Sequence, residues 1–474
     1  MKRYKFVPLC LGFCLFLWGL MPVYAARTVR VNVASNGEAA TGGDSFAAAI
    51  SGDGRYVVFE SDAGNLVEND AGVKDIFLHD RDTDGDGIFD ETNSIKTIQV
   101  NVDSNGNPAT QGDSEAPDVS DDGRYVVFAS DAGDLVVGDT GVKDIFVHDR
   151  DADNDGVYDE AGPGAIRTIQ VNVDSDGNPA TQGNSRAPVI SSDGRFVAFE
   201  SLAGNLVAGD TGVWDIFVHD RDADGDGIYD ETDPGAIKTI QVNVDSDGNP
   251  ATQGNSEMPK ISNDGRYVVF ASDAGNLVTG DTGVQDIFVH DRDADGDGIY
   301  DEADPGAIKT VQVNVSSQGV PASGTDSYAP EISSSGRFVT FESVANNLVP
   351  NDTSGRDIFL HDRDADEDGV FDEGGSGEIE TTRANLHSDG TPATGGASLD
   401  AAISDDGDQI AFESSANNLV DGDTSGRDIF VRVTTPEPTD DDDETDDGGG
   451  SGGCFIAVSH DVAKKWLEII AGLL

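Results

Sequence analysis

The sequence predicts an all-β fold, a six-bladed β-propeller, and three observations carry that expectation. Asp-Ile-Phe recurs at Asp75, Asp144, Asp215, Asp286, Asp357 and Asp428, at intervals of 69, 71, 71, 71 and 71 residues, so one supersecondary unit is repeated. Each unit holds short runs rich in Val, Ile and Phe, bounded by Gly, Asp, Asn and Pro, which read as strands. The ends of the chain are complementary: residues 28–33 match a fourth strand with no unit of their own, and the last unit stops after its third strand. Residues 28–33 are therefore expected to complete the sixth sheet and close the ring, leaving no exposed sheet edge. A linear β-solenoid would have no use for such ends.

Residues 1–25 read as a signal peptide. Lys2, Arg3 and Lys5 precede the apolar stretch Phe6–Leu20, and Val23 and Ala25 suit cleavage after Ala25. The mature chain, 26 Lys+Arg against 90 Asp+Glu, carries −64. That charge repels nucleic acid and bare anionic membrane and favours cations. Only Cys454 survives cleavage, so no internal disulfide stiffens this exported chain, and bound metal is the expected substitute.

The third unit shows the strand pattern. It runs through Arg186–Ser191, Arg195–Ser201, Asp215–Asp220 and Thr239–Val244. The middle runs are apolar at successive positions, as strands covered on both faces should be, while TIQVNV alternates as an outermost strand should. The pattern AP-x-IS-x-DGRYVVF-x-SDAGNLV-x-GDTG-x-x-DIFVHDR resembles the WD40-like repeat of TolB-type propellers over Arg27–Val433. The resemblance implies a secreted or periplasmic bacterial binding module, with a propeller over residues 26–433. Residues 434–453, acidic and then Gly-rich, read as a disordered, self-repelling linker. The tail, residues 454–474, opens near GGCFIA, which resembles the C-terminal tails of some exported bacterial proteins and makes a sorting segment one reading. Its apolar stripe of Val462, Trp466, Ile469, Ile470 and Leu473 is interrupted by Lys464, Lys465 and Glu468, so no span is expected in the mature chain.

Between the third and fourth strands of five units lies an acidic loop spaced like an EF-hand loop. In that motif positions 1, 3, 5 and 9 offer side chains, position 7 a carbonyl, and a glycine at 6 permits the turn. The first loop supplies Asp82, Asp84, Asp86, Ile88 and Asp90, and the second Asp151, Asp153, Asp155, Val157 and Asp159. The third supplies Asp222, Asp224, Asp226, Ile228 and Asp230, and the fourth Asp293, Asp295, Asp297, Ile299 and Asp301. The fifth supplies Asp364, Asp366, Asp368, Val370 and Asp372. Position 6 is Gly87, Gly156, Gly227, Gly298 and Gly369. Hard oxygens at alternate positions suit Ca2+ better than magnesium or zinc, so about five calcium sites are expected, with weak affinity on the order of 0.1–1 mM. Position 12 is Asp233 and Asp304 in two loops and not acidic in the others, so the bidentate Glu of an EF-hand is missing. The loops resemble those of thrombospondin type 3 repeats or dockerins, and a repeated Glu at position 10, such as Glu231, is a further candidate ligand.

Other residue types point away from catalysis. His79, His148, His219, His290 and His361 recur once per full unit, which argues for a structural hydrogen bond. No G-x-S-x-G, H-E-x-x-H or phosphate-cradling loop is present. Trp214 stands where other units carry Lys, Gln or Arg, and suits partial packing or stacking on a ligand. The expected function is a secreted or surface-bound calcium-binding module for a protein or glycan at the cell surface, not an enzyme. The rival is a propeller hydrolase or lyase acting on polysaccharide, which would show non-repeated acids and bases at the central channel.

Overall fold

The computed structural model describes residues 28–434 other than 69, 71, 140, 211, 282, 353–354 and 423–425. Residues 1–25, read above as a signal peptide, all but the first residue of the segment read as a linker, and the tail lie outside the described residues. A division of the chain falls after Thr434. No helix among the described residues is long and apolar enough to cross a membrane.

The first sheet contains β1 (Ser45–Ile50), β2 (Tyr56–Ser61), β3 (Asp75–Asp80) and β4 (Lys96–Gln99) in antiparallel order. The second contains β5 (Ser114–Val119), β6 (Tyr125–Ser130), β7 (Asp144–Asp149) and β8 (Arg167–Gln170); the third, β9 (Ser185–Ile190), β10 (Phe196–Ser201), β11 (Asp215–Asp220) and β12 (Lys238–Gln241). The fourth contains β13 (Ser256–Ile261), β14 (Tyr267–Ser272), β15 (Asp286–Asp291) and β16 (Lys309–Gln312). The fifth contains β17 (Ser327–Ile332), β18 (Phe338–Ser343), β19 (Asp357–Asp362) and β20 (Glu380–Arg383); the sixth, β21 (Ser398–Ile403), β22 (Gln409–Ser414) and β23 (Asp428–Val433). Six such sheets arranged as blades make the predicted all-β propeller.

Burial follows the pattern of the sequence. In the third blade β10 and β11 are buried along their whole length, with Phe199 opposite Phe217 and the rings stacked at 5.9 Å. Facing blades then share one core: Tyr125, Val127, Ile145 and Val147 of the second pack against Val197, Phe199, Leu206 and Phe217 of the third. Fourth strands are shorter than TIQVNV suggests, because the chain leaves the ladder after Gln241 to reach the next blade. Val242 N–H still donates to Ile216 O at 2.9 Å. Asn243 then joins Asp215 of its own blade, at 2.6 Å, to Ser256 of the next, at 3.0 Å.

The closing strand differs from expectation. The sixth sheet has three strands, and among the described residues nothing pairs with the outer edge of β23. Residues 28–33 lie instead against the first blade, where Val31 packs on the cluster of Val57, Phe59, Leu66 and Phe77. The physical reason is local: Thr97 Oγ1 donates to Val33 O at 2.5 Å and Asn32 Nδ2 to Ser45 Oγ at 3.2 Å, so this segment is held by the blade that follows it.

Candidate metal centre

The acidic loop of the third blade starts where β11 ends. Asp222, at position 1, is 5% exposed, and its carboxylate accepts the N–H groups of Asp226 at 3.0 Å and Gly227 at 3.1 Å. Asp226 in turn accepts the N–H of Ile228 at 2.9 Å. Gly227 has φ of +86°, a left-handed conformation that only glycine adopts without strain, and the other four position-6 glycines lie between +82° and +87°. The loop closes where Ala223 N–H donates to Ala236 O at 2.7 Å. Its result is convergence: Asp222, Asp224 and Asp226 each place a carboxylate oxygen within 4.8 Å of the others. The same holds for Asp82, Asp84 and Asp86; Asp151, Asp153 and Asp155; Asp293, Asp295 and Asp297; and Asp364, Asp366 and Asp368. Each triad could hold a metal ion, with one buried carboxylate and two exposed ones.

Electrostatics distinguish the members. Desolvation pushes the Asp82 carboxyl up, but the N–H groups of Gly87, Asp86 and Gly85, together with Asp84, outweigh it and hold the group below the usual range. Glu231, at position 10, is pushed up by desolvation and by the charges of Asp226, Asp224, Asp233 and Asp222, and Glu302 is in the same situation. The position-12 residues Asp233 and Asp304 lie outside the triads, and their carbonyls accept the N–H groups of Ala236 and Ala307.

Position 9 is placed differently from an EF-hand ligand. Both oxygens of Asp230 are taken by Arg221, Nε at 2.8 Å and Nη2 at 2.6 Å. Asp90, Asp159, Asp301 and Asp372 are gripped in the same way by Arg81, Arg150, Arg292 and Arg363. All five aspartates have φ between +58° and +63°, a strained backbone that the bidentate pair holds. The position-7 side chains, Ile88, Val157, Ile228, Ile299 and Val370, are exposed.

Those arginines were not singled out in the sequence. Arg221 is 1% exposed, donates to Gly194 O at 2.6 Å, and lies between Tyr125 of the preceding blade, 4.5 Å away, and Tyr229 of its own loop, 5.0 Å away. Their signal was available: Arg follows His-Asp in all five units with an acidic loop and is absent from the sixth. The loop thus fastens one blade to the previous one while it presents the carboxylates. Arg167 Nη2 to Asp230 O and Lys238 Nζ to Asp301 O, both from the starts of fourth strands, keep successive loops on one face.

The recurrent histidines are structural, as expected. His219 is 2% exposed, its Nδ1 lies 2.8 Å from Thr239 Oγ1, and burial lowers its pKa to about 4. Trp214 is half-buried beneath Arg186, whose guanidinium lies 4.0 Å from the ring centre.

The inner strands line a cavity of about 550 Å³ and break the symmetry at one register position. Asp118, Val189, Lys260 and Glu331 occupy it in the second to fifth blades, with Lys260 Nζ 2.8 Å from Glu331. Burial raises the Asp118 carboxyl against hydrogen bonds from Ile190 and Val119 N–H. Residues Ala116, Ala187 and Met258, next to this position, are non-glycine residues at φ of +51°, +50° and +58°.

No family model matches the chain, and no curated protein does. Among solved structures, TolB from Acinetobacter baumannii is 13% identical, with 71% of this chain and 56% of that chain covered and a TM-score of 0.32. The periplasmic gluconolactonase of Pseudomonas aeruginosa is 13% identical over 82% of this chain and 88% of that chain, with a TM-score of 0.35. Prolyl oligopeptidase B from Galerina marginata is 12% identical over 82% of this chain but 42% of that chain, with a TM-score of 0.44. Similarity at this level adds nothing to the fold that the six sheets themselves define.

Proposed function

We propose that the chain is a calcium-dependent extracellular or cell-surface binding module, with one Ca2+ held in each of five loops. The observation that carries this reading is the fivefold convergence of three aspartates within 4.8 Å. Hard carboxylate oxygens, a glycine-permitted turn and a buried first aspartate suit calcium. Glu231 and its equivalents at position 10 take the ligand place that Asp230 and its equivalents leave by pairing with arginine. With a dissociation constant of ~0.1 mM and calcium at ~1 mM, each native-only site adds ~1.4 kcal/mol, so five independent sites add about 7 kcal/mol. Calcium is expected to raise the melting temperature reversibly, and Asp226→Ala to remove one site from a calorimetric titration. A melting temperature indifferent to chelator at low salt breaks the reading. The partner is a protein or glycan at the cell surface, met on the face opposite the acidic loops, and a glycan and cell-envelope screen with and without calcium identifies it.

One observation favours a second reading, a hydrolase or lyase acting on polysaccharide. Asp118, Lys260 and Glu331 form a non-repeated acid–base set on the channel cavity. Polysaccharide turnover that is lost in Lys260→Met and Glu331→Gln would replace binding by catalysis; the binding reading expects none.

A further inference from the structure

The two ends of the propeller are two halves of one joint. Within the chain, that joint is built the same way each time. Asn172 donates to Asp144 of its own blade at 2.6 Å and to Ser185 of the next at 3.0 Å, while its Oδ1 accepts Ile145 N–H at 3.1 Å. Thr239 of the next blade then grips the outgoing chain at Val173 O and Ser175 Oγ. Residues 28–35 repeat this segment, with Arg30, Asn32 and Ser35 in the places of Gln170, Asn172 and Ser175.

Only the forward half of the N-terminal joint is made. Asn32 bonds Ser45, and Thr97 bonds Val33 O and Ser35 Oγ. At the other end, β23 leaves Ile429 and Val431 69% and 59% exposed, whereas Ile145 and Val147, their equivalents in the second blade, are both at 0%. The register of β11 on β12, Phe217 opposite Gln241, puts Phe430 opposite Arg30 and Val431 opposite Val29. Charge agrees as well. In the fifth blade Arg383 occupies the Arg30 place and pairs with Asp352 and Asp357, and Asp428 is the sixth blade's equivalent of Asp357.

We propose that these halves join between copies: the β23 edge of one chain receives residues 28–33, with the first blade behind them, from a second copy. The chain's own first blade does not cover β23 here. A second copy completes the joint with every internal one unchanged. Such a contact is heterologous, strand added to sheet edge, and produces either a closed ring of copies or a filament. It is independent of the calcium reading.

The test uses the full chain with Cys10, Cys14 and Cys454 replaced by serine. Val29→Cys and Val431→Cys are placed in separate chains, mixed and oxidised. The expected result is a disulfide-linked pair of unlike chains, with light scattering of the parent chain giving at least twice the monomer mass. Ile429→Asp, an exposed position whose change spares the internal core, is expected to return that mass to the monomer. A link that forms only inside a chain carrying both cysteines, with a monomer mass at every concentration, overturns the proposal in favour of a self-closed ring. Failure to link in either arrangement overturns it too.

Discussion

The third and sixth blades begin from nearly the same strands and end in opposite environments. Ile216 of β11 is at 0% exposure, whereas Ile429, at the same place in β23, is 69% exposed. What separates them first is the following blade: Ile216 shares a core with Val268, Phe270 and Phe288 of the fourth, whereas Ile429 is exposed. The two blades also differ in how they are fastened to the blade before. In the third blade Arg221 ties Gly194, Asp230, Tyr125 and Tyr229 together. In the sixth blade the arginine and its loop are missing, and Thr434 Oγ1 makes the remaining bond, to Gly407 O at 3.1 Å. The burial of a propeller strand is therefore a property of its neighbour as much as of its own sequence.

Removing the arginine is expected to have the largest effect on this comparison. Arg221→Ala leaves a buried Asp230 without its cation and empties the space between two rings, and should cost ~3–5 kcal/mol in chemical denaturation. Arg427→Ala in the sixth blade, which breaks an exposed pair with Glu413, should cost about 0–1 kcal/mol. Equal losses would mean that the loop arginine does not fasten the blades.

The glycines sharpen the same contrast. A Cβ on Gly194 would fall inside the Tyr125 ring, at a φ of +78°. Gly194→Ala should therefore cost ~2–4 kcal/mol from clash and backbone strain together. Gly422 in the last blade has φ of +80° but open space around it, so Gly422→Ala should lose only about 1 kcal/mol. Melting curves of the two variants separate packing from backbone strain.

A smaller effect comes from the aspartate that opens each third strand. Burial pushes the Asp215 carboxyl up to about 7, with Asn243 pulling it down and Asp210 adding to the rise. A folded pKa above the unfolded one gives stability that is full below about pH 4 and is lost as pH rises through about 7. Asp144 and Asp286, each at about 6, act in the same direction. With chelator present the protein should thus be more stable at weakly acid than at neutral pH. Asp215→Asn should flatten that slope by about 1–3 kcal/mol, read from denaturation midpoints across the range. An unchanged slope would assign it to the overall negative charge instead.

The sequence made the repeated part of the molecule readable. DIFVHD is apolar at successive positions because both faces of its strand meet neighbours, and the alternating aspartates lie in one loop whose turns their own spacing sets. Asp230 misled because its spacing fits an EF-hand, while its partner, Arg221, acts through a pairing nine residues apart that periodicity does not reveal. Residues 28–33 misled in another way. Their pattern matches the fourth strands of the other units, yet Ser45 and Thr97 hold them against the first blade and they form no strand on the sixth sheet.

The smallest difference concerns where each blade keeps the cation for its second-strand glutamate. In the first blade Lys74, just before the third strand, reaches Glu60 at 3.2 Å, and in the fifth Arg356 reaches Glu342 at the same distance. The third blade has Trp214 at that position, and its cation comes instead from Arg186 on the inner strand, 2.6 Å from Glu200. Glu200 is 2% exposed and also accepts Met258 N–H at 2.7 Å, which ties it to the strained bulge within β13 of the next blade. Arg186→Ala should then cost about 1–2 kcal/mol, from the lost ion pair and the lost contact with the Trp214 face. Trp214→Lys alone should change stability by no more than ~1 kcal/mol, because the new cation replaces the stacking. Combined, the two substitutions move the cation to the place it has in the first blade, so the double variant should regain most of what Arg186→Ala loses. A double-mutant cycle in urea measures this coupling directly. Strict additivity would show that Trp214 is kept for something other than supporting Arg186, and a ligand stacking on its exposed part would then be the place to look.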